Sequence, residues 1–171
     1  MSTAFIQDLS LLLLRDLDGL RREIELYPDD AAPWAERPGL PNRGGTLALH
    51  LAGNLRHFVG AVLGGSGYVR DRDLEFSARD VPRAEILEKV AAARREVEAA
   101  LAALDPVRLD EDYPLPLGGR IASTRQFLLH LAMHLTFHLG QIDYHRRATT
   151  GDSKSAGVIP LSALGRAEAG G

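Results

Sequence analysis

The chain has 171 residues, with 20 Lys and Arg against 23 Asp and Glu, a net charge of −3, and no cysteine. That length suits one domain whose core folds without covalent staples. The missing cysteine removes disulfides, thiolate ligands and a cysteine nucleophile and fits a reducing cytoplasm, while the mixed charge lacks the clustered basic excess of a nucleic-acid binder.

The first apolar periodicity runs from Thr3 to Tyr27, with Leu9, Leu13, Leu17, Leu20 and Ile24 at three- and four-residue steps, and Pro28, Asp29 and Asp30 close it. Its run Leu11 to Leu14 is flanked by Asp8, Arg15, Asp16 and Asp18 and is no export signal. No stretch approaches the roughly 20 apolar residues that cross a bilayer, so a soluble cytoplasmic protein with neither membrane nor nucleic-acid partner is expected. After a loop with Trp34, Pro38 and Pro41, a second helix is predicted from Gly45 or Thr46 to Gly64-Gly65, with Thr46 as its N-cap. "YVRDRDLEF", Tyr68 to Phe76, reads as a charged link. A third helix begins near Pro82, a good first-turn residue, and ends at Leu104, before Asp105-Pro106. "YPLPLGGRI" makes at most a short extended turn, and the fourth helix spans Ser123 to Ala148 with Ser123 as N-cap. The fold expected is all-α: a four-helix bundle over residues 1–149, with long links after the second and third helices and a partly disordered arm over 150–171.

Histidines border the buried faces of two of these helices. At about 100° per residue, His50, Asn54 and His57 share one face of the second helix, and His130, His134, His138, Gln141 and His145 fall within an arc of about 80° on the last. Neutral imidazole is a common metal ligand, and a pair one turn apart grips an ion when a third ligand arrives from another helix. A lone histidine such as His57 or His130 is more often a hydrogen-bonded core residue, and by spacing alone the pair His134 and His138 is open to either reading. His145 sits near the helix end with Arg146 and Arg147, where the dipole favours a cation. "HLAMH" has the spacing of a zinc-protease helix, but Leu131 stands where that motif carries its glutamate base. "GGSGY" has no Gly-Lys-Ser/Thr after it and no strand before it, and reads as a helix stop.

"LHLAGNLRHFVGAVLGG", "YVRDRDLEF" and "HLTFHLGQIDYHRR" together resemble the DinB-like superfamily of damage-inducible, YfiT-like proteins, above all its uncharacterised branch with the Arg-Asp-Arg…Glu-Phe signature. The resemblance spans Thr3 to Thr149. It implies a four-helix bundle holding a divalent metal ion on His50, His134 and His138, and pairing as a homodimer. His57 and His130 fall off the family's ligand positions and keep structural or supporting roles. Phe137 and Leu139 replace the polar neighbours of the usual His-His-Arg-Gly-Gln motif, so substrate roles assigned there in relatives do not carry over.

Three neutral ligands leave an ion its full charge and an open position. Imidazole suits zinc, nickel, copper and iron, with zinc and nickel foremost here. The resemblance implies a metal-dependent enzyme acting on a small molecule, either a hydrolase or a transferase that takes a low-molecular-weight thiol as cosubstrate. The alternative is a non-catalytic metal-binding or interaction module of the stress response. A structural site would be closed by a fourth protein ligand, with His130 the nearest candidate. Asn54 and Gln141 are placed to orient a ligand ring, a water or a substrate, or simply to bond between helices. Asp143 and Tyr144 are weaker candidates of the same kind. Arg70, Asp71, Arg72 and Asp73 are expected to form ion pairs that clamp the link, with a substrate carboxylate as the other possible partner.

Overall fold

Leucine and isoleucine at heptad-like spacing dictate the architecture. The computed structural model describes residues 2–116, 118–157, 160 and 164. Helix α1, Ser2–Glu25, buries Leu9, Leu13, Leu17, Leu20 and Ile24. Helix α2, Gly44–Leu55, buries Leu47, Leu51 and Leu55 and continues into a wider turn over Arg56–Ala61. A short helix α3, Arg72–Ser77, precedes α4, Arg83–Ala102, whose Ile86, Val90, Val97 and Leu101 are inside. Helix α5, Thr124–Thr150, buries Leu128, Leu131, Leu135, Leu139 and Ile142. Each such leucine contributes roughly 1.5–3 kcal/mol by leaving water.

The four long helices pack in a ring, α1 against α4, α4 against α2, α2 against α5 and α5 back against α1. The expected all-α bundle is therefore the fold, and its ring order makes α2 and α5 neighbours. No helix among the described residues is long and apolar enough to cross a membrane.

Several local expectations need correction. Thr46 is not an N-cap: Arg43 holds that position, and Thr46 lies inside the helix with its hydroxyl unpartnered among the described residues. The charged link contains α3, which Asp71 caps by accepting the Leu74 N–H at 2.9 Å. Pro82 stands just before α4 instead of in its first turn. Beyond α4, Pro106–Asp110 forms a 3₁₀ turn.

Other expectations hold. The second helical run ends where expected, with Gly65 at φ +67°, a backbone conformation that L side chains resist. Ser123 caps α5 by accepting the Gln126 N–H. The extended turn amounts to a bridge between Asp112 and Ser123, supported by Tyr113 N–H donating to the Ala122 carbonyl.

One end of the bundle is tied by a buried ion pair that periodicity does not reveal. Arg146 donates to Glu23 at 2.6 Å, both side chains fully enclosed, and to Asp143 at 3.0 Å. It also donates to the Lys154 carbonyl, while Arg22 donates to the Ala156 carbonyl, so residues 151–157 lie along α1 and α5. The part of the expected arm at 158–159, 161–163 and 165–171 lies outside the described residues.

Candidate metal centre

Because α2 and α5 are neighbours, His50 from the first faces His134 and His138 from the second, one turn apart. A ligand nitrogen from each lies within 4.8 Å of the others, and no fourth His, Asp or Glu joins the group among the described residues. The rings stand nearly perpendicular to one another, at 80°, 89° and 86°. His50 Nε2 and His134 Nε2 are 3.3 Å apart. Two nitrogens bound to one tetrahedral zinc at 2.0–2.1 Å stand about 3.3 Å apart, so this edge fits such an ion without movement.

The outer nitrogens are held by partners. His50 Nδ1 lies 3.2 Å from Glu75 Oε2, and Glu75 in turn accepts two hydrogen bonds from Arg70, at 2.7 and 2.6 Å. A carboxylate at Nδ1 selects the Nδ1–H tautomer and leaves Nε2 a free lone pair. Arg70 Nη2 also lies 3.2 Å from His50 Nδ1, but that nitrogen has no lone pair to accept with once it carries a proton for Glu75. His138 Nδ1 is 2.7 Å from Gln141 Oε1, which fixes the same tautomer there. The Phe76 ring covers His50 at 4.9 Å.

Burial disfavours the charged form of two of the three, His134 and His138. Burial, then the charges of His138, His50, His130 and Arg70, depress His134 from 6.5 to about 4. Burial lowers His138, offset in part by its bond to Gln141. Burial pushes the Glu75 carboxyl up, but the bonds and charge of Arg70 and His50 outweigh it and hold Glu75 below the usual carboxylate range. Neutral imidazoles beside an ionised carboxylate are the protonation states a metal requires.

The remaining candidates are placed differently. His130 is exposed, its ring 6.1 Å from and nearly parallel to that of His134, and it does not join the group. His57 is half-buried against Phe58. Asn54 is buried but bonds to no ligand ring, and its Oδ1 has no partner among the described residues. The cation expected at His145 is corrected: the residue is buried, donates from Nε2 to the Ala35 carbonyl and accepts at Nδ1 from the Tyr27 hydroxyl, and burial lowers its pKa. Asp143 pairs with Arg146 and Arg147, and Tyr144 is exposed.

Glu75 was missed as a site residue. The link was expected to pair its arginines with Asp71 and Asp73, yet Arg70 pairs with Glu75 and Asp71 serves as a cap. The available signal was "DRDLEF", an Asp cap followed by a one-turn helix that brings Glu75 back toward Arg70.

Beside the three histidines lies a cavity of about 840 Å³ that includes His134 in its lining. These features define a helix bundle with a three-imidazole cluster open on one side. The family model of the DinB superfamily matches residues 12–142, and the chain belongs to that superfamily. No curated protein matches it.

Proposed function

We propose that the protein is a metal-dependent enzyme that holds a divalent ion, zinc or nickel, on His50, His134 and His138 and acts on a small molecule. The observation that carries this reading is the trio of ligand nitrogens within 4.8 Å, with no fourth protein ligand among the described residues and a cavity at His134. An ion there would supply Lewis acidity and lower the pKa of a bound water or thiol. Glu75 and Gln141 orient the imidazoles, Arg70 keeps Glu75 ionised, and Phe76 shields His50 from solvent.

Between the two reaction classes, the cavity favours thiol transfer with a low-molecular-weight thiol. Among the described residues its lining contains no Asp or Glu to act as a carboxylate base for water. A coordinating thiol is ionised outright by the ion, whereas a bound water is brought only to a pKa of about 7, so thiol chemistry depends less on a nearby base. Because the chain has no cysteine, the thiol would come as a cosubstrate.

Elemental analysis of protein purified without added metal, repeated on His50→Ala and His138→Ala, tests the centre. About one equivalent in the parent and little in the variants is expected, and unchanged content in both variants overturns the assignment. Thiols offered with electrophiles, set against amide and ester hydrolysis, separate transferase from hydrolase. Metal content without either activity would favour a binding module.

A further inference from the structure

The cavity beside the centre is walled by the wide turn of α2, the start of α5 and the link around Pro116 and Ile121. In that turn Val62 N–H bonds to the His57 carbonyl and Gly64 N–H to the Val59 carbonyl, each five residues back. Such π turns re-aim side chains and recur at functional sites, and here His57 and Phe58 enter the lining. On the opposite wall Phe127, His130 and His134 form a row of nearly parallel rings, at 13° and 24°, leading to the histidine centre.

Two features point to the chemistry of a ligand. First, Arg120 is the one Lys, Arg, Asp or Glu among the described lining residues, and it forms no ion pair with them. Of the acids that precede this link, Asp110 pairs with Arg125 and Glu111 with Arg108, and among the described residues no ion pair joins Asp112 to Arg120. A cation facing an acid-free apolar cavity attracts an anion, and its planar fork suits a carboxylate. Second, Asn54 is 8 % exposed, lines the same cavity and leaves Oδ1 unpartnered among the described residues. That oxygen is sealed from the cavity, while the amide Nδ2–H has no acceptor among the described residues and is placed to donate to a ligand there.

We propose that this cavity is the substrate pocket and binds a small carboxylate with an aromatic or apolar body, its acid held by Arg120 and a second acceptor oxygen of the ligand taking the Asn54 Nδ2–H. Phe58 and Phe127, 5.0 Å apart and edge-to-face, supply the apolar wall. The word substrate rests on the enzyme reading above; the binding itself does not require the ion.

Chelator-treated protein is titrated calorimetrically with N-acetyl-L-phenylalanine and with its neutral primary amide. The acid is expected to bind about tenfold more tightly. Arg120→Gln should abolish that preference, and Asn54→Leu should weaken both probes by about fivefold. Equal affinity for the two probes, an unchanged preference in Arg120→Gln, undiminished binding in Asn54→Leu, or no binding of either probe at millimolar concentration overturns the proposal. Arg120 is exposed on a link, and matching thermal unfolding of its variant and the parent checks that the fold is kept. Metal content of the same preparations before chelation separates the two ideas. Probe binding by protein that never held metal supports the pocket and sinks the centre, and metal without probe binding does the reverse.

Discussion

Glu75 decides which nitrogen of His50 faces the centre. Its carboxylate accepts a hydrogen bond from the Nδ1–H and is itself pinned by two bonds from Arg70. Glu75→Gln removes the charge while keeping the shape, so the imidazole loses the anionic partner that raises its basicity as a ligand. Zinc affinity, measured by competition with a chromophoric chelator, is expected to fall about 10–100-fold; an unchanged affinity would mean that the Glu75 charge adds nothing to His50 as a ligand. Asn54 invites the opposite result. Its Oδ1 has no partner among the described residues, so Asn54→Leu, of similar shape, should leave the urea midpoint unchanged or raise it. A clear loss of stability would show that the amide is satisfied in the free protein. The three central histidines were legible as candidates because they border leucine-rich faces at helical spacing. Glu75 was not legible, since a carboxylate 25 residues from its histidine carries no periodic mark.

At the scale of elements, the long helices were readable from apolar period alone, but the two pieces that shape the site were not. Helix α3 spans six residues, too few to show a period, and is held by the Asp71 cap and the Glu75 network. The wide turn of α2 keeps the same alternation of apolar residues as the helix before it, and only its hydrogen bonds distinguish it. Helix α3 approaches α2 at Gly53, where an added Cβ would stand 2.0 Å from Glu75 Oε1. The neighbour is the end of a side chain, which can move, but moving it breaks its bonds to Arg70 and His50. Gly53→Ala improves helix propensity by about 1 kcal/mol yet should lower zinc affinity in the same direction as Glu75→Gln. Equal affinity in the alanine variant would show that α3 can shift without disturbing His50.

Across the whole molecule, titratable groups are gathered at the bundle's interior, and their burial makes stability depend on pH. His134 is depressed from 6.5 to about 4, and His145, enclosed between Tyr27 and Ala35, is lowered as well. The unfolded chain takes up protons near 6.5 while the folded protein refuses them. The stability from these groups is therefore fully present above about 6.5 and is lost as pH falls toward about 4 for His134. Glu23 acts in the other sense: burial, only partly offset by Arg146, raises its carboxyl to about 6, so the fold holds that proton more tightly than the unfolded chain. A difference measurement separates the two. The melting temperature of metal-free protein is expected to hold level above about pH 7 and to fall between pH 6.5 and 5. The same scan on His145→Gln should be flatter, because a neutral amide replaces the group that must resist protonation, while Glu23 is unchanged in both. Parallel curves for parent and variant across that window would show that His145 is protonated within the fold, with Tyr27 and Ala35 both accepting from its ring.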